Sequence, residues 1–367
     1  MSNPVQNLSS RLKDAWRNIF GDQFSGHFNP IESEGLRAVC HTSLPADPAF
    51  SAAWESLLVA APFATAFHSP AWQTAVIATM AKEGRLRLIA VWHAEELVAV
   101  LPMSIRDDGL LETLAPGVSD YLDPLIHPDH EAAVWRILLK LLGTLRAGKW
   151  KNITFHNVRD TAPCRTILPE LAAAEGFAFE STVYESCPCL TLPKTFDEFL
   201  GTLDGHERKE TRRKLNKATT KGNARLTRCG SDPDEIAASL QIVLSMMEQA
   251  PGEKGEAVKR YLRPLLEKGA PALITQGKLW LTTLHINDEP AACTLQFPHR
   301  DGPELYNCGF DAAKKEWSSG VVLTAMIIQR AIESGAKTFD LLRGEEPYKY
   351  KLGAINRPLW MINLRKL

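Results

Sequence analysis

The chain has 367 residues, of which 45% are hydrophobic and 23% charged, and its formal net charge is -1. This length favours two domains, and the composition is that of a globular protein able to bury a full core. The balanced charge excludes a global pull toward nucleic acid or an anionic membrane, so any such binding needs a local patch.

Residues 1–60 are mixed and Pro-containing and read as an N-terminal arm, with a short amphipathic helix over 7–20 that packs on its own domain. They contain no apolar core of signal-peptide length, and no run in the chain reaches the roughly eighteen apolar residues of a membrane span. Ordered pattern begins near Ser69 and Pro70, an N-cap followed by proline at the first helical position, which predicts a helix to about Ala81. Strands follow over 85–92 and 97–105 around an Ala94-Glu95-Glu96 turn, and a third over 110–114 leads into Gly117-Val118-Ser119-Asp120-Tyr121-Leu122-Asp123-Pro124. An apolar helix over 131–145, a strand over 150–158, a helix over 165–175 stopped by Gly176, and an extended stretch over 177–192 complete this half.

Between the halves, a short amphipathic helix over 196–203 precedes a basic helix over 207–221. Eight Lys or Arg fall between Arg208 and Arg225, and their helical period makes one face a cationic stripe. The bland reading of such a run is a solvated face. No interleaved aromatics support single-strand nucleic-acid binding.

The second half then repeats the first. Strands over 278–286, 290–297 and 304–310 lead through a loop to a helix over 321–334, a Gly335 stop and a strand over 337–342. A short helix carrying Tyr348 and Lys351 and a final strand over 359–364 follow. Equivalent turns (Glu95 and Asp288) lie 193 residues apart and equivalent strands (Ile153 and Thr338) 185 apart, so an internal duplication is the economical explanation. The expected fold class is α+β: tandem domains over 61–194 and 195–367, each a mixed, mostly antiparallel sheet flanked by helices.

The densest chemistry lies near the C-terminus. Ser318, Ser319, Gly320 and Val321 open an apolar helix whose free N–H groups can face an anion, although Ser is also an ordinary N-cap. Asp340 closes the next strand, either as a general base or as the partner of Arg343; Arg343 is that partner or an anion clamp. Glu345 and Glu346 precede a helix, where acids meet the helix dipole or one serves as a base. Tyr348 and Lys351 share a helical face, and Tyr348-Lys349 and Tyr350-Lys351 form two candidate pairs. In either pair the Tyr can donate a proton and the Lys can face a negative charge. Seven scattered cysteines, with only Cys187 and Cys189 close together, give no zinc spacing; reduced cytoplasmic thiols and no metal are expected.

The basic helix Arg212-Arg213-Lys214-Leu215, the Glu289-Pro290-Ala291-Ala292 turn, Ser318-Ser319-Gly320 before an apolar helix, Thr338-Phe339-Asp340-Leu341-Leu342-Arg343-Gly344, and Tyr348-Lys349-Tyr350-Lys351-Leu352-Gly353 together resemble one family over about residues 60–367. It is the bacterial CelD/BioF2-like acyltransferases, a branch of the GNAT superfamily related to the FemAB peptidyltransferases. The resemblance implies acyl or aminoacyl transfer to an amine. Asp340, Glu345, Tyr348 and Lys349 would be catalytic, and Ser318, Ser319, Gly320, Val321 and Arg343 would hold the donor. Asp120, Tyr121, Asp123, Arg212, Arg213 and Lys351 would contact acceptor. No permanently bound cofactor is implied; the co-substrate is an acyl-CoA or an acyl-carrier thioester, and the acceptor is an amine of a sugar, amino acid or cell-envelope or exopolysaccharide precursor. The chain departs from the usual GNAT phosphate cradle by having one glycine, Gly320, in that turn, and FemAB relatives share the lack and use aminoacyl-tRNA. A tRNA-dependent transferase and a non-catalytic GNAT-fold binding protein are therefore the alternatives.

Overall fold

The computed structural model describes residues 30–144, 150 and 152–367. The amphipathic segment expected over 7–20 lies outside these residues. In chain order the elements are β1 Ile31–Ser33, β2 Leu36–His41, α1 Pro48–Ala60, α2 Pro70–Met80, β3 Leu86–His93, β4 Glu96–Ile105, β5 Leu110–Thr113, β6 Leu125–Ile126, α3 Glu131–Thr144, β7 Asn152–Arg159, α4 Cys164–Ala174 and β8 Phe177–Thr191. They continue with α5 Phe196–Thr202, α6 Gly205–Lys221, β9 Arg225–Arg228, α7 Pro233–Glu248, α8 Glu253–Ala257, α9 Arg263–Thr275, β10 Trp280–Ile286, β11 Glu289–Phe297 and β12 Glu304–Phe310. The chain ends with α10 Ser319–Glu333, β13 Thr338–Asp340, α11 Pro347–Lys351 and β14 Ile355–Lys366.

All strands belong to one mixed, mostly antiparallel sheet in the order β1-β2-β3-β4-β5-β7-β14-β8-β13-β12-β11-β10-β9, with β6 beside β4. Only β5 with β7 and β12 with β13 run parallel. The last strand reaches back between the two halves: β14 pairs with β7 on one side and with β8 on the other. The mixed α+β architecture is therefore the one expected.

Alternation along the strands sends side chains to two helical layers. Leu88, Ala90 and Trp92 of β3 join a core with Trp54, Trp72, Val243 and Leu265, from α1, α2, α7 and α9. Ile89 and Val91 join the opposite core with Trp135 and Leu168, from α3 and α4. On β11, Leu295 and Phe297 face the first core, whereas Ala292 packs with Val322 and Ile328 of α10. Local signals set the starts of several elements. Ser69 Oγ accepts the Trp72 N–H at 3.2 Å. The β10–β11 hairpin turns through Asn287 and Asp288 at φ 52° and 64°, the left-handed pair that a tight two-residue hairpin requires.

Three expectations need correction. Residues 30–60 are not an arm: β2 pairs along its length with β3, and Phe50, Trp54 and Leu57 of α1 are buried. The helices α7 to α9 occupy residues for which no element was expected, with Pro264 and Pro271 inside or at the start of α9 obscuring its period. Finally, β13 ends at Asp340 rather than Leu342, because Leu342 is left-handed (φ 52°) and bends the chain away from β12.

The loop before β12 leaves no room for a side chain. Gly302 has φ 150°, and a Cβ there would stand 1.8 Å from the Thr338 carbonyl oxygen. Gly302→Ala is expected to cost about 2–3 kcal/mol by overpacking and strain. Urea denaturation checks this; an unchanged midpoint would contradict it.

Candidate active site

β12 and β13 meet at a single register pair, Glu304 with Asp340, and then part. β13 pairs instead with β8, placing Asp340 opposite Cys189, while β12 beyond Glu304 keeps β11 as its partner. The gap between the diverging segments opens toward a cleft on one side and a second cavity on the other.

The divergence is held by side chains. Asp340 Oδ1 accepts the Leu342 N–H at 2.8 Å and Oδ2 accepts the Tyr121 hydroxyl at 2.6 Å. Arg343 donates to Asp120 at 2.5 Å, so its partner is Asp120 and not Asp340. Lys349, 2% exposed, donates to the carbonyls of Leu342, Arg343 and Gly344 at 2.8–3.0 Å and lies 3.1 Å from Glu346. Those three carbonyls use all three donors of its ammonium. Lys349 thus ties the turn after β13 and presents no donor to a developing oxyanion. Glu345 is likewise engaged, accepting from the Ser186 hydroxyl at 2.8 Å.

The cleft, about 460 Å³, brings Gly320 and Val321 of α10 together with Cys308, Gly309 and Phe310 of β12, Tyr348 and Lys351 of α11, and Glu207 and Lys214 of α6. Ser318 is left-handed (φ 51°) and its carbonyl accepts the Val321 and Val322 N–H groups. The N–H groups of Ser319 and Gly320 precede those first intrahelical bonds and mark the positive end of a fifteen-residue helix. A Cβ on Gly320 would meet only Phe310 Cδ1, at 3.9 Å, so the backbone there borders open space. Phe310, Val321 and Tyr348 keep 52%, 40% and 38% of their surface exposed, giving the cleft an apolar wall beside the α10 start. Burial raises the Tyr348 phenol above its ordinary range, so it holds its proton at neutral pH. Of the two Tyr-Lys pairs, the cleft takes one member of each, Tyr348 and Lys351, while Tyr350 donates to Asn356 at 2.9 Å.

The predicted basic face divides differently from its sequence pattern. Arg212 pairs with Asp197 and Arg213 with Glu210, and neither lines the cleft. Lys217 donates to the Glu316 carbonyl at 2.8 Å and sits 4.8 Å from the Trp317 ring centre, fastening α6 to the loop before α10. Lys351 pairs with Glu207 at 2.8 Å across the cleft.

On the far side of the Glu304–Asp340 pair lies a cavity of about 520 Å³ bordered by Tyr121, Arg159, Arg300, Glu304, Asp340 and Arg357. Asp123 holds Arg159 at 2.7 Å. Glu304 is 3% exposed and its Oε2 has no partner among the described residues. Burial, then the neighbouring Asp340, raise the Glu304 carboxyl well above the usual range. Burial also raises Asp340, against the opposing bonds from Tyr121 and Leu342. Sequence reasoning missed Glu304, Arg159 and Arg357. The one local sign was an acid at the start of a strand whose next residues enter the core. Separately, His93, Glu96 and His130 bring ligand atoms within 4.8 Å of one another near the β3–β4 turn, a grouping of distant segments that spacing could not reveal.

A carboxyl whose folded pKa is raised favours the folded state most at low pH, and that contribution is lost as pH rises through the folded value. Removing the charge at Glu304 should therefore help increasingly above pH of about 4.5, its unfolded value. Thermal melts of Glu304→Gln and wild type are expected to diverge in favour of the variant as pH rises. Parallel pH profiles would show that Glu304 is ionised and well compensated.

Comparison with known proteins follows this geometry. Residues 205–350 match the family model described as Acetyltransferase (GNAT) domain. The FemX crystal structure is similar in fold, with a TM-score of 0.59 and 11% identity over 85% of this chain and 95% of that one. A conserved protein of unknown function from Bacteroides thetaiotaomicron is similar at TM-score 0.53 and 15% identity, over 89% and 99% of the two chains. A search of curated proteins gave no match. The stretch from the start of α6 to Tyr350 of α11 is thus similar to a GNAT acetyltransferase domain.

Proposed function

We propose that the chain is an N-acyltransferase of the CelD/BioF2-like kind, acting as tandem GNAT-like domains over 61–194 and 195–367, the second of them catalytic. The donor is an acyl thioester on coenzyme A or a carrier protein, and the acceptor is an amine of a sugar, amino acid or envelope precursor. The observation that carries this is the convergence, at one cleft, of the α10 start, the unpaired edge of β12 and an apolar wall. Pyrophosphate oxygens suit the α10 N–H groups. An extended amide chain suits the open β12 edge, which offers backbone bonds as a missing strand would.

Transfer proceeds directly in a ternary complex. The acceptor ammonium gives a proton to a carboxylate at the apex, Asp340 or Glu304, both tuned upward by burial and so matched to that task. The freed nitrogen attacks the thioester carbonyl, an amide C–N bond forms and the C–S bond breaks. The departing thiolate takes a proton from Tyr348, whose phenol borders the cleft, and the phenolate is reprotonated by the second proton that the nitrogen loses as the amide forms. The tRNA-dependent alternative would use Arg212 and Arg213, whose exposed pairs with Asp197 and Glu210 a phosphate backbone would have to displace.

Gly320→Glu separates fold from function. A Cβ at that position makes one ordinary contact, with Phe310 Cδ1 at 3.9 Å, and no clash. A carboxylate in the first helical turn favours the helix by about 0.3–1 kcal/mol. The melting temperature should hold or rise, while acetyl-CoA affinity measured by calorimetry falls by roughly tenfold or more through repulsion in the anion site. Undiminished affinity would remove the donor assignment. Tyr348→Phe should lower kcat by about 10²-fold with little change in KM, and an unchanged kcat would take Tyr348 out of the proton transfer.

A further inference from the structure

The cavity behind the apex has a charge layout unlike that of the donor cleft. In the cluster around it, Asp120 is matched by Arg343 and Asp123 by Arg159. Glu304 and Asp340 form no ion pair among the described residues, and Glu304 Oε2 is both buried and without a partner. Their register pairing on adjacent strands puts both carboxyls on the same face. The cavity therefore borders two carboxyl groups without an ion-pair partner among the described residues, of which Glu304 also has a buried oxygen without a donor, and leaving such a group unpaired is costly.

Three guanidinium groups border the same cavity, together with Asp160, which pairs with Arg165, and Asp301. Arg159 spends its Nε on Asp123 and keeps a buried Nη2 without a partner. Arg357, on β14, is exposed and joins no salt bridge, and Arg300 has only a 3.8 Å contact with the adjacent Asp301. A carboxyl pair and guanidinium groups bordering one cavity match one kind of molecule, one that carries both a cation and an anion. Guanidinium pairs well with phosphate or carboxylate because its donors form a planar fork.

We infer that this cavity binds the acceptor, and that the acceptor is an amine which also carries an anionic group, phosphate or carboxylate. Its nitrogen rests on Glu304 and Asp340 and its anion on Arg159 and Arg357. This deepens the acyltransferase reading and rests on it only for the direction of transfer. With the donor entering from the α10 side, the nitrogen reaches the thioester from across the β12–β13 divergence, so the two substrates need not share an entrance.

Ligand-observed NMR and calorimetry on the full chain test it with two amine phosphates, glucosamine 6-phosphate and phosphoethanolamine. Each is compared with its phosphate-free and amine-free analogues. At least one amine phosphate is expected to bind roughly tenfold tighter than both of its analogues, as for a charge-assisted contact at each end. Arg357→Gln, a surface change that leaves folding intact, should remove the advantage over the phosphate-free amine. Glu304→Gln should remove the advantage over the amine-free phosphate. Equal affinities within both series, no binding of either amine phosphate, or variants that leave the ranking unchanged would overturn the inference. Acetyl-CoA titrated into the same samples distinguishes the two failures: donor binding without amine-phosphate selectivity sinks this inference alone, and selectivity without donor binding sinks the donor assignment.

Discussion

Everything specific about this molecule depends on the parting of β12 and β13 after one shared register pair. Two parallel strands in a sheet ordinarily continue bonding, and an unpaired edge in the middle of a sheet leaves backbone groups needing partners. Here the separation is fixed by buried polar contacts. Asp340 holds both the Tyr121 hydroxyl and the N–H of left-handed Leu342, and Lys349 collects the three carbonyls that follow. A non-glycine residue held at positive φ costs about 1–3 kcal/mol, and the surrounding bonds over-determine it. The Asp120–Arg343 pair joins the same turn to the loop over 117–124, so the first half of the chain secures the site in the second.

That arrangement gives the sheet two working sides. On one, a helix start, a strand edge and an apolar wall suit a long thioester with a charged end. On the other, a carboxyl pair and arginines border one cavity. Strand β12 joins the two, with Glu304 bordering this cavity and Cys308, Gly309 and Phe310 bordering the cleft. Coupling through β14, which lies between β7 and β8, places strands from both ends of the chain beside that apex. It also explains why Tyr121 and Arg159, so far in sequence from Glu304 and Asp340, border the same cavity.

Much of this was legible in the sequence. The hairpin at Asn287-Asp288, the strand ending at Phe310, the Gly335 stop and the helix opening near Gly320 follow from turn chemistry and periodicity, which act over a few residues. The resemblance drew attention to Tyr348 and Lys351, which do border the cleft. Failures came where partners are distant. Lys349 looked like an exposed amine available to the reaction, because nothing local reveals that three carbonyls enclose it. Arg212 and Arg213 looked like a free cationic face until Asp197 and Glu210 were placed beside them. Glu304 drew no notice because a lone acid at a strand start is common, and its meaning lies in the absence of a counter-charge that only folding determines.

The central claim is that the divergence holds an acyl-thioester between the β12 edge and the α10 start. Amide hydrogen exchange with and without saturating acetyl-CoA tests it most directly. Protection is expected at the amides of residues 305–310 and 319–321, with little change along β3 and β4. Protection absent from both segments, or confined to the cavity residues around Arg159 and Arg357, would contradict the account.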